Sequence, residues 1–541
     1  MILVTGLLFV MSLGALCIMT LVGNSIAMAQ RREQNTEAFN MADAGVDLAK
    51  SWLSQQSTPP DRSVLQPLNN FFGSTGTFYN PFGTSPGSTL VVRIDAATSN
   101  PSVHPKHYLV ESQALLANGV TVTVRAYLQQ ASFGKYAYFT VNDGGGFWDF
   151  NNHFEGPFHS NDADGQHSMF LWNSSYQTNP IFTYTGSDAF SVSGDVTWWK
   201  NTVGNTVSPS TVSDFRSVAL GGQATMKSGY KTDSNGNYLH DNMGNKIVNS
   251  SQIPLPTTSY AQQYAALGIF VGGANPSTPS PGAPTSAGVT FVHGGGLYIH
   301  GDNQMALSVD SSGRQVITVT QGTTVQTVTV DLAANDTIVT TQVGTAAATT
   351  VTSASVPNGL VYSDGNITSL QGTIANNVVS GGTTIPNAWT IATDIAAGKN
   401  VTLTGSIKYL TPRNLAVQET SDTNFVKYAG LLGILSNHVG VASGAGPNLE
   451  FDGSIFATQT FDALNPSAPV GSTGTMLSIG GVITQNAGVF AYSDNSGNLT
   501  SGYQEQYHYD TRLANRPPPF FPTTGSHYDV ISWQCEPGLL N

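Results

Sequence analysis

The sequence predicts an α+β protein: a long N-terminal apolar helix with a small antiparallel sheet, followed by a large all-β domain of the parallel β-helix or solenoid kind. Three observations carry that expectation. Residues 1–30 hold no charged side chain, and Met1–Val22 reads MILVTGLLFVMSLGALCIMTLV, which matches the roughly 20 apolar residues a helix needs to cross a bilayer core. Three strand-like runs follow between Ser88 and Gln129. From residue 142 onward, short apolar runs recur, each cut by Gly, Asn or Asp. Composition agrees with this division. The 541 residues include 57 Gly, and only 10% are charged, against about a quarter in ordinary soluble domains. Lys+Arg number 20 and Asp+Glu 33, a net charge of −13, the wrong sign for meeting nucleic-acid phosphates. With two cysteines, Cys17 and Cys535, neither a disulfide scaffold nor a four-Cys zinc site is available.

The helix comes first. A secretory signal has a basic start and a shorter apolar core; here no basic residue precedes the apolar run. A retained membrane helix is therefore expected, with cleavage after Ala27-Met28-Ala29 as the alternative. The helical pattern continues past Arg31-Arg32-Glu33. Phe39, Ala42, Val46, Ala49 and Leu53 recur at spacings of three and four, which puts them on one face. Pro59-Pro60 ends any helix. Residues 1–56 thus form one helix, its first half suited to lipid and its second to packing on a soluble domain. In the region 57–141, the runs Ser88–Ile94, His107–Leu115 and Val120–Gln129 read as strands. Thr121, Thr123 and Arg125 alternate with Val122, Val124 and Ala126, the period of a half-buried strand.

The apolar run, the charges after it and the stretch Ala38-Phe39-Asn-Met-Ala42-Asp-Ala44-Gly45 resemble the N-terminus of type IV pilin-like proteins, of the minor-pilin or PilX type. The resemblance implies a helix that anchors the chain in the membrane and then packs against other pilin-like subunits. Met1, Leu3, Thr5, Leu8, Phe9, Leu16 and Val22 would carry that role. Thr5 stands where major pilins usually have glutamate, and no basic prepilin leader precedes the apolar run; that is expected if Met1 is the first mature residue of a processed chain, whereas Met1 as initiator would speak against prepilin processing. A plain signal anchor is the competing reading, and Arg31-Arg32 would then favour a cytoplasmic body.

The remaining residues, 142–541, read as β throughout. Short apolar runs cut by Asp, Gly or Asn recur, as in Lys399-Asn-Val-Thr-Leu-Thr-Gly405 and Phe451-Asp-Gly-Ser-Ile-Phe-Ala. Alternation gives a short strand, and Gly or Asn supplies the turn. Such rungs stack in a solenoid; a β-sandwich is the alternative. Residues 306–357, without Lys or aromatic side chains, read as a β-hairpin insertion, and Tyr230–Asn249 as a polar hairpin. The order of several phrases resembles the domain of unknown function DUF4900, which occurs behind pilin-like N-termini. Among them are Phe154-Glu-Gly156-Pro157-Phe-His159-Ser160-Asn161, Gly359-Leu-Val-Tyr362 and Tyr507-His-Tyr509-Asp510-Thr-Arg512. That resemblance implies a surface protein with a β-rich body and no catalysis.

Chemistry is sparse. His153, His159, His167, Asp162 and Asp164 form the densest polar group, but they lack zinc-motif spacing, and corner roles in a solenoid explain them as well. Asp364, Asp394 and Asp452 are the carboxylates a β-helix glycosidase or lyase would pair at a groove, although aspartate is also the expected turn residue there. Trp148, Phe150, Trp172, Trp198 and Trp199 are expected to plug one end of the solenoid. Tyr503, Tyr507, Tyr509, Arg512 and Trp533 are expected to cap the other.

These readings converge on a non-enzymatic structural protein of the cell surface with no cofactor. Its body would lie in the periplasm or cell exterior, or in a pilus, and serve filament assembly, priming or adhesion. The membrane and other pilin-like subunits are the expected partners, with surface glycans as a further candidate and nucleic acid excluded. A membrane-tethered carbohydrate-active enzyme and an envelope adhesin unrelated to pili are the alternatives.

Overall fold

The computed structural model describes residues 2–56, 60, 89–96, 106–142, 147–148, 153–161, 168–173, 190–192, 196–202, 206–209, 226–227, 252–269, 276–380, 382–466, 474–493 and 499–537. The chain divides into two units. One comprises Met1–Pro101, Lys106–Gln130 and Ser526–Asn541; the other comprises Ser102–Pro105 and Ala131–Gly525. The second unit is therefore inserted between strands of the first. The class is the expected α+β: a long apolar helix and a large β-rich body.

In the first unit a single helix runs over Ile2–Gln55, about 80 Å at 1.5 Å per residue. Its second half packs on a sheet made by Thr89–Ala96, His107–Leu115, Thr121–Ser132 and Thr523–Pro537, neighbours in that order. The first two pairings are antiparallel. Residues 107–115 alternate between half-buried and buried along their whole length, as period-two patterning dictates. Ala38, Met41, Ala42, Val46, Ala49 and Leu53 form a core with Leu90, Val92, Val110 and Val124. Each Val, Leu or Met so buried contributes about 1.5–3 kcal/mol over leaving it exposed. Small residues on the helix allow the close approach. At Gly45 a Cβ would collide with Ser112 Oγ and crowd Val92.

The second unit is a stack of parallel strands. One row runs Leu297–His300, Leu360–Ser363, Ala388–Thr393, Leu431–Ser436, Asn448–Ala463, Gly474–Asn486, Tyr138–Asn142, Phe158–Ser160, Phe190–Val192, Met226–Lys227. Its register stacks like on like. Leu297, Val361, Ile391, Ile434, Ile455, Val482, Tyr138 and Phe158 form one interior column. The row's order is not the chain's order. The chain enters at Tyr138 in mid-row and builds outward to Met226. It resumes at Leu297, at the far end of the row, and stacks back until Val482 pairs with Tyr138. Residues 252–267 lie along the outer face of this row. Asn161 holds the backbone of Ile253 through two hydrogen bonds (2.7 and 2.9 Å), Ser259 Oγ donates to Thr393 O at 2.7 Å, and Gln262 donates to Phe520 O at 2.8 Å.

The turns work as the sequence pattern implies. Asn400 N–H donates to the Asn366 side chain and the Asn437 amide donates to that of Asn400, both at 3.0 Å. An asparagine ladder therefore joins successive corners. The segment around 306–357 forms an antiparallel meander, Gln315–Gln321, Thr324–Asp331, Asp336–Val343 and Thr349–Ser353, built outward from Asn303–Val309. Tyr230–Asn249 lies outside the described residues.

The expected aromatic cap needs correction. Tyr503 and Tyr507 do not cap an end: Leu499–His508 pairs with Gly474–Asn486 on one side and with His153–Glu155 on the other, so both rings sit in the interior. Trp533 belongs to the first unit, edge-on to Phe39 at 5.5 Å, with its indole N–H donating to Asp43 at 3.3 Å. The aromatic spacing was compatible with a cap; pairing between distant strands placed it otherwise. Trp148, Trp172, Trp198 and Trp199 fall on a separate four-stranded sheet, and Phe150 lies outside the described residues.

Candidate functional site

The feature that most needs a function is the first half of the helix. Residues 4–33 are exposed throughout. Val4–Gln55 contains an 18-residue window of mean hydropathy 2.2, none of it buried. Leu8, Phe9, Leu16 and Val22 are 61%, 67%, 63% and 52% exposed, and Thr5 is exposed beside them. Leu3 is helical and Met1 lies outside the described residues. The apolar side chains point in every direction around this half, so no single groove satisfies them; a hydrocarbon medium or a ring of other helices does. By length and composition the helix can cross a membrane. Hydroxyls within it are internally bonded, Ser12 to Phe9 O at 2.8 Å and Thr20 to Leu16 O at 3.0 Å, which lowers the cost of placing them in lipid.

Of the polar group picked from the sequence, only His153 and His159 are among the described residues. His159 is buried between strands, its Nε2 2.9 Å from Asn161 Oδ1 and its ring stacked on Phe139 at 5.0 Å. Burial pulls its pKa down to about 4, so it is neutral and serves the core. His153 is on a strand, while Asp162, Asp164 and His167 lie outside the described residues. Among the described residues no group of three or more His, Cys, Asp or Glu side chains is placed to hold a metal ion.

The carboxylates considered for sugar hydrolysis are occupied by the fold. Asp364 accepts from Gly301 N–H at 2.7 Å and Tyr298 O–H at 2.9 Å, and pairs with His300 at 2.6 Å. Asp394, one rung along, accepts from Ala397 N–H at 3.1 Å. Asp452 is fully buried. Its Oδ2 accepts from Tyr409 N–H at 2.7 Å and its Oδ1 has no partner. Burial raises its pKa to about 8, so it is predominantly a neutral acid at pH 7.

A second ionic group escaped the sequence reading. Arg413, its side chain only 2% exposed, lies 3.2 Å from Glu155 and 3.7 Å from Glu419. Glu155 also meets His508 at 2.6 Å. The His508 hydrogen bond, joined by Arg413, draws the Glu155 carboxyl down to about 2 despite its partial burial. Glu419 accepts from Thr511 N–H at 3.0 Å and from its hydroxyl at 2.7 Å. Arg512 pairs with Asp510 at 2.7 Å, donates to Ala429 O at 2.7 Å and stands 4.2 Å over the Phe425 ring. The cluster ties the 410–430 segment and residues 508–512 to the stack, and its buried charges are matched to one another. Only the low abundance of basic residues hinted at Arg413; its partner Glu155 is 258 residues away.

No protein-family model matches the chain, and no curated protein matches it, so neither the PilX-type nor the DUF4900 resemblance is backed by a family match. Among solved structures, the competence-associated pilin ComZ from Thermus thermophilus overlaps 93% of this chain and 98% of its own, at 13% identity and a TM-score of 0.27. So loose a superposition leaves the functional reading to rest on the chain's own geometry.

Proposed function

We propose that this protein is a non-enzymatic, minor-pilin-like surface subunit. In this reading the N-terminal helix holds it in a membrane and packs against other pilin-like subunits, and the β-rich body is displayed in the periplasm or outside the cell for filament assembly, priming or adhesion. The observation that carries the reading is the split helix. One half is apolar and exposed on all sides, while the other half of the same helix is seated on its own four-stranded sheet. A pure anchor needs only the first half. The continuous rigid helix transmits the position of the anchor to the sheet, as a filament subunit requires. Thr5 cannot neutralise the N-terminal amine of a neighbouring subunit, which favours a tip or priming position. A solenoid body suits display, because stacked rungs build an extended surface from a single repeated contact.

Fractionation of cells making the full chain, with and without residues 1–30, tests the anchor. The full chain is expected in the membrane fraction and the truncated one outside it; an unchanged distribution sinks the proposal. Mass spectrometry of the mature N-terminus and cross-linking from the exposed helix separate pilin assembly from an envelope adhesin. A methylated, processed terminus and cross-links to pilin-like subunits are expected for the former.

A further inference from the structure

We propose that the body carries a binding site for one uncharged sugar residue at the turn end of the antiparallel meander. This deepens the adhesion part of the function proposed above and rests on it. The turns after Asn303–Val309 and Thr324–Asp331, with the segment around Asn376, enclose a cavity of about 200 Å³. That is below the roughly 300–1,000 Å³ of sites for drug-sized ligands and suits a single ring rather than a chain.

The floor is rigid. Gln315 and Asn387 are 2% and 1% exposed. Gln315 Oε1 accepts from Ala375 N–H at 2.8 Å. Asn387 donates to Ala375 O and accepts from the Trp389 indole, both at 2.7 Å. Buried amides satisfied in this way fix the cavity's shape before any ligand arrives. The rim holds both signs of charge. Arg314 Nε donates to Asp310 at 2.7 Å, and its Nη1 lies 3.8 Å from Asp331. All three side chains keep 23–32% of their surface exposed. Asn376 lines the same cavity, and its side-chain oxygen has no partner in the fold. Val330, Leu332 and Val378 supply the apolar part of the wall.

The chemistry selects a ligand class. Of the charged groups, Arg314 and Asp331 line the cavity and Asp310 holds the guanidinium from outside it, so the rim carries no net positive charge to draw phosphate, uronate or sialate. A guanidinium donor beside a carboxylate acceptor matches adjacent hydroxyls, and the apolar wall matches the C–H face of a pyranose ring. A neutral sugar at the end of a surface glycan offers both.

Saturation-transfer NMR on the full chain in phosphatidylcholine nanodiscs, which avoid sugar-headed detergents, tests this. The probes are the methyl glycosides of glucose, galactose, mannose and N-acetylglucosamine, with methyl glucuronide and sialic acid as charged controls. Transfer to at least one neutral glycoside is expected. It should weaken by roughly tenfold or more in Arg314→Met and Asp331→Asn, the scale of losing one charge-assisted hydrogen bond, and vanish in Leu332→Trp, which fills the cavity. Thr350→Ala, on an exposed strand of the same meander, should bind as the parent does. Thermal unfolding of each variant checks its fold, and Leu332→Trp and Asp331→Asn keep the test decisive should Arg314→Met be unstable. No transfer to any neutral glycoside at millimolar concentration, transfer to the charged sugars as strong as to the neutral ones, or binding unchanged in Leu332→Trp overturns the proposal. Membrane retention is scored on the same chain, so a failed anchor with intact sugar binding is distinguishable from a failed cavity.

Discussion

The long helix holds two regions with opposite solutions to the same problem. Residues 4–33 show apolar side chains on all sides and bury none of them, whereas residues 38–53 bury Ala38, Met41, Ala42, Val46, Ala49 and Leu53 along one stripe and leave Glu37 and Asp47 outside. The second region is stabilised by its own sheet. The first has no partner surface within the described chain, and its stability depends on what surrounds it. A hydrophobic run without periodicity is thus a statement about environment, while a periodic one is a statement about packing.

That contrast can be broken most sharply in the exposed half. Replacing Leu8 and Leu16 with Asp adds about 2.5–3.5 kcal/mol per residue at a helix centre in lipid and touches no buried contact. Loss of carbonate-resistant membrane association is expected, with the unfolding of the soluble parts unchanged. If the double variant stays in the membrane, the contrast is wrong. Next in size, Arg413→Met in the body strands Glu155 and Glu419 without their shared cation. Breaking one partner of a buried ion pair costs about 3–5 kcal/mol, so denaturant unfolding should show a clear loss in the body while membrane association stays intact.

A smaller change addresses the buried half of the helix. Gly45→Leu forces side-chain volume against Ser112 and Val92 and should cost about 1–3 kcal/mol, seen as faster hydrogen exchange in His107–Leu115 and not in the stack. A further test is a slope. Asp452 has its pKa raised in the fold to about 8, so the folded state binds the extra proton and stability falls as pH rises from about 4 to about 8, then levels. Asp452→Asn keeps an acceptor for Tyr409 N–H and should remove that decline. Glu155 works with the opposite sign. Its depressed pKa of about 2 means its contribution is present above about pH 4.5 and fades as pH drops toward 2. Parallel pH–stability curves for Asp452→Asn and the parent would refute the burial argument.

Local features were legible and distant pairings were not. The strand read as His107–Leu115 has those bounds in the structure, because alternation is recorded in neighbouring residues. Four of the five residues assigned to the helix's packing face are buried, and Phe39 is partly so, set against Trp533. The turn-cut rungs of the body were visible for the same reason. Their order was not, because Val482 pairs with Tyr138 across hundreds of residues without any local mark. The return of the last strand to the first unit's sheet was missed likewise. Its aromatic content fitted a cap just as well, and only the hydrogen-bonding edge beside Thr121–Ser132 decides its place. Arg413 and Glu155 gave no sequence signal as a pair, since an ion pair leaves no periodicity.

The sequence by itself determined the apolar helix, its switch from all-round to one-sided hydrophobicity, and the short turn-punctuated strands. Each of these follows from side-chain chemistry repeated over a few residues. The tertiary structure alone decided that the body's residues fall, along the chain, between strands of the small sheet, that the stack closes on its own entry strand, and that Arg413 meets Glu155 and Glu419 within it. Those outcomes depend on which distant surfaces bury the most apolar area and satisfy the most backbone groups together, a comparison made over the whole chain at once.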